Sequence, residues 1–89
     1  MSNTYQIFLI SDSTGETLDR IFLALKAQFL NIEYKVRSYS FTRTENQILK
    51  ILEDAEKNKN SIILYTIVDN NLAKCLANNS NTKQIPCFG

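Results

Sequence analysis

Short apolar runs alternate with amphipathic stretches along this chain, and the alternation predicts strands followed by helices. Residues 5–10 are almost all apolar, as in a strand that is buried on both faces of a parallel sheet. The next segment, from about Gly15 to Phe29, carries apolar residues at helical spacing: Leu18, Ile21, Phe22, Leu25 and Phe29. The sequence therefore opens with a predicted strand, a short polar corner and an amphipathic helix.

Residues that commonly cap helices stand at the ends of the predicted helices. Ser13 with Glu16, and Thr44 with Gln47, have the spacing of a capping box, in which two side chains satisfy backbone N–H groups at the helix start. Asn31 can adopt the left-handed conformation that ends a helix. We therefore expect the first helix to lie between Ser13 and Asn31.

The second predicted strand, residues 33–41, alternates bulky and polar side chains. Lys35 and Arg37 stand among the bulky residues Tyr34, Val36, Tyr39 and Phe41. Because their charges need water, we expect this strand to lie toward an edge of the sheet. A second helix follows, which ends in the polar run 57–60 and has an apolar face formed by Ile48, Ile51, Leu52 and Ala55.

The last third of the chain predicts a third strand, a third helix and the start of a fourth strand. The third strand covers residues 61–68, and Asp69 can cap the helix after it. The apolar face of that helix consists of Leu72, Cys75 and Leu76. Residues 78–83 are polar and predict a turn, and residues 84–88 would begin the fourth strand.

The predicted element order, β-α-β-α-β-α-β, is typical of an α/β fold. Strands that alternate with helices imply three layers and a mainly parallel, Rossmann-like sheet with right-handed crossovers. Strand orders 2-1-3 and 3-2-1 both fit. We expect a single domain over residues 1–89. The fourth strand scarcely begins before Gly89, which favours an amino-terminal domain or fragment of a longer protein over a complete small domain.

Composition narrows the chemistry that this chain can perform. With no histidine among its 89 residues, it cannot form a Ser-His or Cys-His catalytic pair. Cys75 and Cys87 match no zinc pattern, so we expect two reduced thiols and no metal site. The net charge of +1 gives no strong attraction to nucleic acid or to an anionic membrane surface. Without a signal peptide or a long apolar run, a cytoplasmic protein is expected.

The polar corner after the first strand is the strongest candidate site. Its backbone N–H groups, hydroxyls and helix amino end could hold a phosphate or carboxylate, and the candidate residues are Ser11, Asp12, Ser13, Thr14, Gly15 and Thr17. Arg43 and Asp69 follow the second and third strands, so they should lie at the same edge of the sheet. The alternative is a set of ordinary structural roles: helix caps at Ser13 and Asp69, a turn at Gly15, and a solvated Arg43.

The string Ile-Ser-Asp-Ser-Thr-Gly-Glu-Thr at residues 10–17 resembles the amino-terminal region of the pyruvate, phosphate dikinase and phosphoenolpyruvate synthase regulatory proteins. Further similarities follow in the family's order: Gln28-Phe29, Phe41-Thr42-Arg43, Leu64-Tyr65-Thr66-Ile67-Val68 and Ile85-Pro86-Cys87. The resemblance extends over essentially the whole chain. It implies a partner that is either pyruvate, phosphate dikinase or phosphoenolpyruvate synthase.

The resemblance also implies an activity for the complete family members. They phosphorylate a threonine of the target enzyme with ADP as donor, and they remove that phosphate with inorganic phosphate, releasing pyrophosphate. The family's phosphate-binding loop belongs to a carboxyl-terminal domain, and residues 1–89 contain neither that loop nor a dinucleotide-binding glycine motif. We therefore expect this chain alone to bind no cofactor, although the family uses ADP and inorganic phosphate, and to lack catalytic activity.

Two other functions fit the residues. One is a small non-catalytic α/β module that binds an anionic ligand at the corner 11–15, and the other is a nonfunctional remnant that folds poorly. A small domain with a truncated fourth strand would leave a strand edge uncovered, so we expect modest stability and self-association.

Overall fold

The computed structural model describes residues 4–27 and 32–89 and shows strands and helices in strict alternation. The elements are β1 (Tyr5–Ser11), α1 (Glu16–Lys26), β2 (Tyr34–Tyr39), α2 (Glu45–Glu56), β3 (Ser61–Thr66), α3 (Asn70–Thr82) and β4 (Cys87–Phe88). The predicted α/β class is therefore confirmed. The Gln28-Phe29 pair and the helix end expected at Asn31 lie outside the described residues.

All strand pairs in the sheet are parallel, and the strand order is β2-β1-β3-β4. The order contains the 2-1-3 arrangement and excludes 3-2-1. β1 pairs with β2 on one side, starting at Tyr5 with Tyr34, and with β3 on the other, starting at Gln6 with Ser61. The expected edge position of β2 is confirmed. β4 contributes only a two-residue strand at the other edge.

The core has two parts, one on each face of the sheet. Right-handed crossovers in this strand order place α1 on one face, and α2 with α3 on the other. The larger cluster joins the sheet to α2 and α3 through Phe8, Ile10, Ile48, Ile51, Leu52, Ala55, Ile63, Leu76 and Ile85. The smaller cluster, against α1, consists of Ile7, Leu9, Leu18 and Phe22. All four predicted apolar residues of α2 are buried.

The two predicted capping boxes have different outcomes. The box at α2 is confirmed, because the Gln47 N–H donates to Thr44 Oγ1 at 3.2 Å and the Thr44 N–H donates to Gln47 Oε1 at 3.0 Å. The box at Ser13 is wrong, since the N-cap of α1 is Gly15. Ser13 is held in the corner instead, where its carbonyl accepts a hydrogen bond from the Phe41 N–H at 2.9 Å.

The polar turn predicted over 78–83 is also wrong, because α3 continues to Thr82. Polar side chains inside the helix bond back to the preceding turn: Asn79 Nδ2 donates to the Cys75 carbonyl at 2.7 Å, and Thr82 Oγ1 donates to the Asn78 carbonyl at 3.0 Å. Ser80 is fully buried against the core. The chain turns only at Gln84, whose φ is 59°. β3 ends at Thr66, two residues before the predicted end at Val68.

The burial of α2 generates a matched stability test. Leu52 is 0% exposed and Leu49, on the same helix, is 40% exposed. We expect Leu52→Ala to lower the free energy of unfolding by roughly 2–5 kcal/mol because it leaves a cavity, and Leu49→Ala to lower it by less than about 1 kcal/mol. Urea unfolding of both variants measures the difference. Equal losses would contradict the assigned inward face of α2.

Candidate functional site

Three loops meet at the carboxyl ends of β1, β2 and β3, as their common position in a parallel sheet predicts. They are the β1–α1 loop (12–15), the β2–α2 loop (40–44) and the β3–α3 loop (67–69). The first two are joined by backbone hydrogen bonds, since the Thr42 N–H donates to the Ser11 carbonyl at 2.8 Å and the Phe41 N–H donates to the Ser13 carbonyl at 2.9 Å. The loops thus form one continuous surface.

Asp12 connects all three loops. Its carboxylate oxygen Oδ2 accepts a hydrogen bond from the Val68 N–H at 2.8 Å. Its backbone carbonyl accepts one from Arg43 Nε at 3.1 Å. This geometry supports a connecting role for Asp12, because its carboxylate and its carbonyl bond to two different loops.

Ser11 is buried beneath the corner and holds it from below. It is 2% exposed, and its Oγ accepts a hydrogen bond from the Ser13 N–H at 3.1 Å. The hydroxyl of Thr66 donates to the same oxygen at 3.4 Å, which ties β3 to β1 at this point. Ser11 therefore supports the site from inside, while Ser13, Thr14 and Thr17 are exposed above it. The Ser13 hydroxyl shares a hydrogen bond with Ser11 Oγ at 3.3 Å.

Gly15 begins α1 in the left-handed conformation, with φ at 84°. A Cβ atom there would meet Ser11 Cβ at 3.8 Å, an ordinary contact, so glycine is required by the backbone angle and not by crowding. Among the described residues, no side chain caps the amino end of α1. The first N–H groups of α1, at Glu16 and Thr17, thus have no side-chain acceptor at an electropositive helix end.

Arg43 and Asp69, the two candidates outside the β1–α1 loop, differ in what they contact. Arg43 is exposed, and its guanidinium carbon lies 5.1 Å from the centroid of the Phe41 ring. With Nε on the Asp12 carbonyl, its terminal N–H groups remain beside the corner. Asp69 caps α3, since its Oδ1 accepts hydrogen bonds from the N–H groups of Asn71 at 2.8 Å and Leu72 at 3.1 Å. The geometry supports the structural alternative for Asp69.

The sequence reasoning missed Ser38 and Ser40. They line a cleft of about 40 Å³ together with Thr14, Gly15 and Asp19. The two-residue alternation of β2 places Ser38 on the face of the sheet that carries α1, and Ser40 follows directly after the strand. The cleft is far smaller than the roughly 300 Å³ or more of typical small-molecule sites.

The thiols and carboxylates are not arranged for metal binding in the described part of the chain, which holds no cluster of three or more potential metal ligands. Burial raises the pKa of the Cys75 thiol, and the nearby Glu45 carboxylate raises it further. Burial also raises the pKa of the Cys87 thiol. Both thiols are therefore protonated and weakly nucleophilic at neutral pH. No helix among the described residues is long and apolar enough to span a bilayer.

Comparisons with known proteins give consistent results. A family model described as kinase/pyrophosphorylase matches residues 7–89. A relative from Pelagibacter ubique is 73% identical over 88 residues, which is 99% of this chain and 32% of the relative. One from Geotalea daltonii is 41% identical over 80 residues, 90% of this chain and 29% of the relative. Both carry the provisional name pyruvate, phosphate dikinase regulatory protein. The chain spans about a third of the length of these relatives.

The two aspartates allow a test of which loop each one holds. Asp12→Ala should expose the Val68 amide to solvent exchange, whereas Asp69→Ala should expose the amides of Asn71 and Leu72. Each change should cost about 1 kcal/mol, because the bonds involve a charged acceptor but lie near solvent. Hydrogen exchange followed by NMR reads each amide separately. Faster exchange at all three amides in both variants would contradict these separate roles.

Proposed function

This chain belongs to the kinase/pyrophosphorylase family, and on that premise we propose that it forms the phosphate- and target-facing part of a cytoplasmic regulator of pyruvate, phosphate dikinase. In this proposal the chain is the amino-terminal domain of the regulator. The whole regulator phosphorylates a threonine of the dikinase, or of phosphoenolpyruvate synthase, with ADP as donor. It removes the phosphate with inorganic phosphate and releases pyrophosphate. The names of the relatives support the dikinase as target.

The observation that carries the proposal is the uncapped amino end of α1 beside exposed hydroxyls. The N–H groups of Glu16 and Thr17 point toward the corner where Ser13 and Thr14 are exposed. A helix amino end attracts anions, and backbone N–H groups bind phosphate oxygens directly. The guanidinium of Arg43, held on the Asp12 carbonyl, adds positive charge at the same place.

Nearby carboxylates set the strength of this binding. Glu16 and Asp19 lie in the first turn of α1 and repel an incoming anion. The Asp12 carboxylate, which accepts a hydrogen bond from the Val68 N–H, adds to this repulsion. We therefore expect weak phosphate binding by this chain alone.

In the proposed division of labour, residues of this chain bind and orient, while the transfer itself needs groups from the rest of the regulator. Residues 1–89 contain no phosphate-binding loop of the Gly-x-x-x-x-Gly-Lys-Ser/Thr type and no histidine. The cleft beside Thr14, at about 40 Å³, is far smaller than typical sites for a small molecule such as a nucleoside. The hydroxyls of Ser13, Thr14 and Thr17 would contact the phosphate of the target threonine.

An NMR titration with inorganic phosphate tests the proposed anion site. The amides of residues 13–17 should shift first, with the largest changes at Glu16 and Thr17. Gly15→Val should weaken the binding several-fold, because a β-branched residue at a φ of 84° costs roughly 1–2 kcal/mol and distorts the corner. Gly15→Asn is the matched control, since asparagine tolerates the left-handed conformation.

Two outcomes of the phosphate titration would contradict the proposed anion site. Shifts spread evenly over the surface, or an Asn variant that binds phosphate as weakly as the Val variant, would contradict an anion site built on the conformation of Gly15.

A labelling experiment tests the proposed reaction. The 89-residue chain, mixed with pyruvate, phosphate dikinase and ADP labelled in its β-phosphate, should leave the dikinase unlabelled, because the chain lacks a phosphate-binding loop. The complete Pelagibacter ubique relative, as positive control, should label a dikinase threonine. Label transferred by the chain alone would refute the division of labour, and no transfer by the complete relative would refute the proposed kinase activity.

A further inference from the structure

β2 forms one edge of the sheet. β2 runs from Tyr34 to Tyr39 with β1 on one side, and no described strand pairs with its other side. Its four middle residues are all exposed. A six-residue strand with one open side is long enough to pair with another extended segment.

The open side carries backbone hydrogen-bonding groups at fixed positions. The Tyr5 N–H donates to the Glu33 carbonyl, so in this parallel ladder the odd-numbered residues of β2 point their backbone groups at β1. The backbone groups of Tyr34, Val36 and Ser38 therefore point away from the sheet. A strand added at this edge would bond to those three residues.

The side chains of β2 divide into a basic and an apolar face. Lys35 and Arg37 lie on the face that carries α2, and the Arg37 guanidinium carbon stands 5.7 Å from the centroid of the Phe8 ring. Tyr34 and Val36 lie on the opposite face, where Val36 is 39% exposed. A strand paired with β2 would thus meet positive charge on one face and apolar surface on the other.

Lys50 extends the positive charge from β2 to α2. It lines an open groove of about 440 Å³ between the two elements. The ion pairs among the described residues are Lys57 with Asp54 and Lys83 with Glu56, so none of them neutralises Lys35, Arg37 or Lys50. We name this surface, formed by the open side of β2 with Lys35, Arg37 and Lys50, the basic edge.

We propose that the basic edge binds an extended peptide segment in which acidic and apolar residues alternate, added to the sheet as a further strand. Acidic side chains of that segment lie on the face of Lys35 and Arg37, and its apolar side chains lie beside Val36. A second copy of this chain does not fit, because pairing β2 with β2 would bring like charges together. The proposal goes beyond phosphate handling, since the recognised segment needs no phosphate.

Two peptides of identical composition test the proposal with the full 89-residue chain. One is a blocked octapeptide of four Val-Glu repeats, and the other is a blocked octapeptide of four valines followed by four glutamates. Only the first can present all its charges on one face of a strand. In NMR titrations it should bind at least several-fold more tightly, with shifts centred on the amides of Tyr34, Val36 and Ser38.

Charge reversals separate the basic edge from general electrostatic attraction. Lys35→Glu with Lys50→Glu should weaken binding of the alternating peptide about tenfold, because two attractive contacts become repulsive. The matched control, Lys59→Glu with Lys74→Glu, makes the same change in net charge at exposed positions away from β2 and should weaken it less than about twofold. Arg37 is left in place because it packs on Phe8.

Three results would overturn the proposal: equal binding of the two peptides, equal weakening by the two double variants, or shifts centred away from β2. The absence of any binding by the alternating peptide would overturn it as well. If the peptide proposal fails, the proposed anion site at α1 is unaffected. The phosphate titration measures shifts of amides 13–17, whereas the peptide titration measures shifts of the β2 amides.

Discussion

The position of β1 between β2 and β3 is the constraint on which the rest of the molecule depends. β1 pairs with a neighbour along both edges and is buried on both faces, where Phe8 and Ile10 pack toward α2 and α3 while Ile7 and Leu9 pack toward α1. A strand that is enclosed on four sides must be almost wholly apolar until it leaves the sheet. The change from Ile10 to Ser11 and Asp12 is therefore also the point where the core ends and the polar corner begins.

The corner uses most of its polar groups to hold itself together. The hydroxyls of Ser11 and Thr66 bond to each other beneath it. The Asp12 carboxylate accepts a hydrogen bond from the Val68 N–H, and the Asp12 carbonyl accepts one from Arg43. What remains for a ligand is the set of groups that the loop cannot satisfy internally, above all the first N–H groups of α1. An anion site and a structural corner are thus compatible here, because they use different atoms of the same few residues.

Local patterns in the sequence predicted the features that depend on local physics. Two such features lie within α2, and the structure confirms both. They are the apolar spacing of Ile48, Leu52 and Ala55, and the capping box of Thr44 with Gln47. The pattern at Ser13 failed because a tertiary bond from Phe41 holds that residue before the helix starts. The weak helix formers after Cys75 continue α3 because Leu76 and Ser80 of that helix are buried against the core, and tertiary packing overrides local propensity.

Strand order and the cleft beside Thr14 depend on which strands are neighbours, so periodicity alone could not decide between arrangements. Ser38 and Ser40 reach that cleft only because β2 lies beside β1. Arg43 likewise meets Asp12 through the pairing of these strands, although the expectation that loops converge at strand ends placed it in the right region.

Helices cover the two faces of the sheet unequally, and the face with less packing opens more often. α1 packs alone on its face, over the smaller apolar cluster, whereas α2 and α3 share the larger one. Segments with less buried contact open more often, so α1 belongs to the less protected part of the fold. An anion that binds only when α1 is formed would suppress that opening by mass action. The ring of Phe22 in α1 packs edge-on against the ring of Tyr34, with the ring centroids 5.7 Å apart. Anion binding at α1 would therefore also reduce the mobility of Tyr34, the first residue of β2.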